Sequence, residues 1–228
     1  MIDGKKKIFT DGELIMETEI LKIFDKHQNY IGTAPRAEVH RLGYWHEVFH
    51  CWFIGNQDGV DHIYLQIRSH RKKDYPNLLD ITAAGHLLAD ETVRDGIREV
   101  KEELGINIVM EELIPLGIVS YSAMSENLID NEIAHVFLYE TDHSFDAFSL
   151  QKEEVSGIVR IPFSSFFELW SGAIDFVPAA GFRIQRDGSK MKFFDHFSKN
   201  QFVQHVPAYF EKVLGGIQNY LERKRQGE

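Results

Sequence analysis

The sequence predicts a mixed α+β fold, and two observations carry that reading. Stretches with a two-residue apolar period and stretches with a helical period both occur, without the regular strand–helix alternation of a doubly wound parallel sheet. Of the 228 residues, 43% are hydrophobic and 12% aromatic, enough to pack a core rather than leave a disordered chain. The length fits one large domain with additions. We expect an N-terminal extension over residues 1–17, a main domain over 18–172, and a C-terminal extension over 173–228 packed on the same domain.

The elements are expected in this order. Residues 1–16 carry no clear signal. Residues 18–24 are β-friendly and residues 25–29 turn the chain. Residues 35–40 read as a brief helix with Pro35 in its first turn. In the strand over 46–54, His46, Val48, His50 and Trp52 share one face. Asp58-Gly59 makes a hairpin turn to a return strand over 62–68. A short helix follows, with Thr92 as N-cap, Ile97, Val100 and Leu104 as its apolar stripe and Gly105 as its stop. Further strands are expected over 116–122, 132–141 and 155–161, and a helix over 163–170. Residues 173–200 are ambiguous. Val206, Phe210, Val213, Ile217 and Leu221 form the apolar face of a terminal helix, weakened at Gly215-Gly216.

Charge and cysteine usage narrow the function. A formal net charge of −10 disfavours a general nucleic-acid binder. A single cysteine, Cys51, excludes an intrachain disulfide and fits a reducing compartment. No apolar run follows the N-terminal lysines, and no stretch approaches the ~18 apolar residues of a membrane span. A cytoplasmic protein is the expectation.

The most informative stretch is residues 85–106. Glu99, Glu102 and Glu103 stand at i, i+3 and i+4, on one side of a helix. Such a face is also an ordinary solvated surface, but mutual repulsion among three carboxylates suits a divalent cation. The face is expected roughly opposite the apolar stripe, pointing out of the core.

These residues resemble the Nudix box, G-x5-E-x7-R-E-U-x-E-E-x-G-U, where U is a bulky aliphatic residue. Arg98, Glu99, Val100, Glu102, Glu103, Gly105 and Ile106 match its second half. The first half departs from it: Gly85 to Glu91 has the correct gap, but only six residues separate Glu91 from Arg98. Either Glu91 or Asp90 is then the loop acid, oriented by Arg98. The resemblance implies a Nudix-type α/β/α sandwich with a mixed sheet and a C-terminal helical extension. It also implies Mg²⁺ (or Mn²⁺) held by Glu99, Glu102 and Glu103, and hydrolysis of a small-molecule diphosphate.

A second resemblance covers roughly residues 18–165. Arg68-Ser-His-Arg-Lys72-Lys73-Asp-Tyr-Pro76 leading to Ala84-Gly85-His86 is similar to the segment before the helix in isopentenyl-diphosphate isomerases, which share the Nudix fold. The likeness places His40, His46, His86 and Glu132 where that family has metal ligands, with Asp130 for a further Glu. His46 and His86 are therefore candidates for a second metal site, and Glu132 for a catalytic base. Arg68 and Lys72 are candidates for gripping substrate phosphate. The isomerases carry an essential Cys immediately before the Gly-His pair, and here that position is Ala84. The sequence therefore favours a hydrolase on an isomerase-like branch. An isomerase and a non-catalytic ligand sensor remain the alternatives. The terminal helix suggests packing or a homodimer.

Overall fold

The computed structural model describes residues 8–10, 13–15, 19–125 and 128–227. β1 (Ile8–Thr10) and β2 (Glu13–Ile15) pair with each other in a separate two-stranded sheet. The remaining eleven strands form one sheet. β3 (Ile20–Phe24) and β4 (Tyr30–Pro35) make a hairpin at its margin. α1 (Arg36–Leu42) follows, and Pro35 is its N-cap rather than a residue of its first turn. β5 (Trp45–Gln57) and β6 (Val60–Arg68) form the central hairpin, turning through Asp58 and Gly59, both at positive φ as such a tight turn requires. The short strands β7 (Leu79–Asp80) and β8 (Ala83–His86) add to β6 and β5.

After α2 (Arg98–Leu104), β9 (Leu113–Ser125) and β10 (Leu128–Glu140) pair antiparallel, and β10 runs parallel to β5. That one parallel pairing makes the sheet mixed. β11 (Val155–Pro162) lies beside β6 and leads into α3 (Phe163–Ser171). The ambiguous stretch forms a hairpin, β12 (Val177–Ile184) and β13 (Lys190–Phe197), added to β11. The chain ends in α4 (Pro207–Gln226), which passes through Gly215 and Gly216 without a break. Packing explains this: Tyr209, Phe210, Val213, Leu214, Ile217 and Leu221 are all buried, and such burial outweighs the roughly 1 kcal/mol helix penalty of each glycine.

Helices cover both faces of the sheet. On one, α3 and α4 pack on Val48, Trp52, Leu65 and Val136, and Trp170 stacks on Phe210 with ring centroids 3.6 Å apart. On the other, Val100 and Leu104 of α2 pack on Phe49, Cys51 and Phe53. The alternation of β5 is thus read by both layers: His46, Val48, His50 and Trp52 face the α4 side, while Phe49, Cys51 and Phe53 face α2. Among the described residues, no helix is long and apolar enough to cross a membrane.

Candidate active site

α2 is seven residues long and stops at Gly105, whose φ of 71° is left-handed and whose N–H bonds the Lys101 carbonyl. It begins later than Thr92 suggested. Thr92 instead pairs with Asp95, by both its N–H and its hydroxyl, and closes the turn ahead of the helix. A second expectation is corrected as well. Glu99 and Glu103 do not point out of the core; they are only 9% and 5% exposed, and Glu102 alone reaches solvent. Two carboxylates on a helix also buried by Val100 and Leu104 must turn towards something, and they turn towards β8.

β8 is built to receive them. A Cβ on Gly85 would lie 2.2 Å from the Glu99 carboxyl, so only glycine permits this approach. One Glu103 oxygen accepts the Ala84 N–H at 3.2 Å and the Gln66 side-chain N–H at 3.4 Å. Burial, and then the neighbouring Glu99 charge, push the Glu103 pKa well above the usual carboxylate range; Lys72 opposes the shift. Lys72 pairs with Glu154.

The loop acid facing Arg98 is Glu91. Arg98 grips it through Nε and Nη2, the latter at 2.9 Å, and Glu91 also accepts the Leu88 N–H at 2.8 Å. The same guanidinium reaches Glu99 at 2.5 Å, Glu102 at 3.3 Å and the His86 carbonyl at 3.1 Å. Asp90 is exposed. One arginine therefore ties loop, helix and β8 together.

His86 also belongs to a second cluster. Ligand atoms of His40, His46 and His86 lie within 4.8 Å of one another, as do those of His46, Asp130 and Glu132. His40 Nδ1 lies 2.8 Å from the Arg36 carbonyl, and His46 Nδ1 lies 3.1 Å from the Tyr44 carbonyl. A carbonyl only accepts, so both Nδ1 atoms carry hydrogen and both Nε2 atoms present a lone pair. His86 Nδ1 faces the Glu19 carboxylate at 3.2 Å. The Nε2 atoms of His40 and His46 approach one Asp130 oxygen at 3.4 and 3.5 Å, and both His46 Nε2 and Asp130 Oδ1 are buried without a hydrogen-bond partner among the described residues. Lone pairs converging on a carboxylate repel unless a cation lies between them, so this donor set fits a metal ion. Burial, then His86, lowers the His46 pKa to about 3.

A chain of polar groups runs beside this cluster. Arg68 pairs with Asp80 at 2.7 Å and donates twice to the Asp74 carbonyl, at 2.9 and 3.2 Å. Three of its five N–H donors thus hold protein groups. Asp80 accepts from His205 Nε2 at 3.1 Å, His205 Nδ1 lies 3.1 Å from the Tyr121 hydroxyl, and that hydroxyl donates to Glu132. Burial, then Asp130, raises the Glu132 pKa well above normal. Tyr121, Asp80, His205 and Tyr209 escaped the sequence reading. Nothing local marks them, since their partners lie 11 to 159 residues away.

The family model described as NUDIX domain matches residues 44–180, more than half of the chain. The chain belongs to the Nudix family. An uncharacterized Nudix hydrolase of Clostridium acetobutylicum is 36% identical over 202 residues, covering 89% of this chain and 98% of that one. Nudix hydrolase 3 of Arabidopsis thaliana is 33% identical over 157 residues, which is 66% of this chain and 20% of that longer protein. An isopentenyl-diphosphate Delta-isomerase of Saccharopolyspora erythraea is 30% identical over 151 residues, covering 65% and 75%. A crystal structure of a Deinococcus radiodurans protein shares the fold, with a TM-score of 0.52 at 20% identity over 68% of this chain and 89% of that one. The protein is a Nudix-type hydrolase with isomerase-like relatives.

Within this Nudix domain, the position that separates the two branches is open to inspection. Ala84 pairs with His50 across β8 and β5, and packs on the α4 side of the sheet. Cys51 faces α2 instead; it is fully buried, and burial pushes its thiol pKa far above normal. No thiol therefore stands beside Glu132.

Proposed function

We propose that this Nudix protein hydrolyses a diphosphate bond in a nucleoside diphosphate derivative or a related organic pyrophosphate, with Mg²⁺ or Mn²⁺. The observation that carries the proposal is the carboxylate face of α2: Glu99 and Glu103 seated on β8 at Gly85 and Ala84, with Glu102 beside them at the surface. Hydrolysis of a diphosphate calls mainly for charge neutralisation and a positioned water. When bound by these three carboxylates, the ion supplies Lewis acidity and offsets the negative charge of the substrate.

In this reading the remaining residues orient and exchange protons. Arg98 fixes Glu91, Glu99 and Glu102 relative to one another, so the acidic face needs little reorganisation. Lys72, held beside Glu154, is the side chain for a substrate phosphate, while Arg68 holds Asp80. Glu132, on the same sheet face as His46, receives the proton of the attacking water. His40, His46, His86 and Asp130 form the second metal position, with zinc or manganese suited to its mixed ligands. Ala84 supports hydrolysis over isomerisation because a methyl group neither gives nor takes a proton.

The experiment is a product-mass screen with Mg²⁺ or Mn²⁺ over ADP-ribose, NADH, nucleotide sugars, dinucleoside polyphosphates, nucleoside triphosphates and prenyl diphosphates. Turnover that falls at least about 100-fold in Glu102→Gln supports the proposal. Turnover unchanged in that variant removes the carboxylate face from the mechanism. Conversion of isopentenyl diphosphate to its allylic isomer would favour the other branch.

A further inference from the structure

The domain match ends at residue 180, yet the chain beyond it reaches the site. Tyr209, in the first turn of α4, is fully buried, and its hydroxyl lies 2.8 Å from His50 Nδ1 and 3.1 Å from Trp52 Nε1. An indole nitrogen only donates, so the Tyr209 oxygen accepts from Trp52; the buried hydroxyl hydrogen needs an acceptor, and among the described residues His50 Nδ1 is the one within reach. His50 must then carry its hydrogen on Nε2, and Nε2 faces the Glu132 carboxylate at 3.5 Å. His205, just before α4, approaches the same carboxylate through Tyr121. Its other nitrogen is anchored on Asp80, which Arg68 holds in turn. The His205 and Tyr209 rings stack on each other, with centroids 4.8 Å apart.

We infer that His205 and Tyr209 of the C-terminal segment are positioning residues for Glu132, fixing its carboxylate through Tyr121 and through the His50 tautomer. The inference rests on the proposed hydrolytic role of Glu132. It assigns to the terminal segment a part in the site that neither packing nor dimerisation would give it. Both contacts are made by polar atoms that add nothing to the apolar core of α4. A carboxylate held from two sides keeps one orientation, whereas a loosely held one does not.

The test uses the full chain with Tyr209→Phe, which removes only the hydroxyl, His205→Phe, which puts an apolar ring in place of the imidazole, and His205→Asn, which keeps a polar atom towards Tyr121. Turnover of the same diphosphate panel is compared with thermal unfolding, and the His50 tautomer is read from long-range proton–nitrogen correlation of the imidazole. The expected result is kcat lowered about tenfold in both Phe variants with KM little changed, partial recovery in His205→Asn, and loss of the Nε2–H form of His50 in Tyr209→Phe. Lower Tm with kcat and the His50 tautomer unchanged would overturn the inference. If Glu102→Gln abolishes turnover while both Phe variants retain it, the hydrolase reading stands and the positioning roles fall. If no compound is turned over by the unaltered protein, the hydrolase reading fails. The His50 tautomer in Tyr209→Phe then decides the inference: retained Nε2–H would overturn it.

Discussion

Gly85 has no side chain where Glu99 places its carboxyl: an added Cβ would sit 2.2 Å away. Gly85→Ala should therefore push Glu99 off β8 while leaving the helix stripe of Val100 and Leu104 packed. A displacement of this size in a positioned group costs on the order of 100-fold in rate. Titration calorimetry with Mn²⁺ should show weaker binding in parallel. Unchanged binding and turnover in Gly85→Ala would separate Glu99 from the metal.

Glu91 and Asp90 are one position apart, yet Glu91 faces Arg98 and Asp90 faces solvent. Glu91→Gln removes the charge that Arg98 grips with two nitrogens and should cost about 1.5–3 kcal/mol in urea unfolding. Asp90→Asn, on the exposed side of the loop, should stay within about 0.5 kcal/mol of the unaltered protein. The reverse order would reassign the loop acid.

Asp80 gives the fold an acid limit. Burial raises its pKa, but His205 and then Arg68 outweigh this and hold it far below the ordinary 3.8. A carboxylate with a depressed folded-state pKa contributes stability that is complete above its unfolded value and is lost as pH falls towards the folded one. Urea midpoints should therefore decline as pH drops below about 4. Asp80→Asn should be less stable at pH 7 and should show a shallower decline over that range. An equal decline in both proteins would mean that other carboxylates set the acid limit.

α4 belongs to the core of this chain. Ile217 is fully buried among Tyr209, Val213 and the sheet, so Ile217→Ala should cost about 2–5 kcal/mol in the monomer's unfolding free energy. A loss below about 0.5 kcal/mol would mean that the helix is held elsewhere, for instance by a second copy of the chain.

What the sequence showed and what it hid divide along sequence distance. The carboxylate triplet, Arg98 and Gly105 follow a local period and were legible together, as were the central hairpin and the shared face of His46, Val48, His50 and Trp52. Where the glutamates point was not legible. Helical spacing places three groups on one side, but only other elements show that two of them are buried: Gly85 receives Glu99, and Ala84 and Gln66 receive Glu103. The loop acid was ambiguous by counting and became plain through Arg98, whose reach depends on the turn at Thr92 and Asp95. β12 and β13 escaped because Gly181, Gly188 and the charged residues of the hairpin dilute the alternation, and pairing with β11 supplies what propensity does not. The link from His205 and Tyr209 to Glu132 spans most of the chain, and no short pattern encodes it.

The most direct measurement of the central claim is product mass after turnover in ¹⁸O-labelled water with Mg²⁺. Hydrolysis gives two phosphate-bearing products from a diphosphate substrate, one of them carrying a single ¹⁸O, with both lost in Glu102→Gln. Turnover that gives an allylic isomer without ¹⁸O, or no turnover of any compound in the panel, would contradict it.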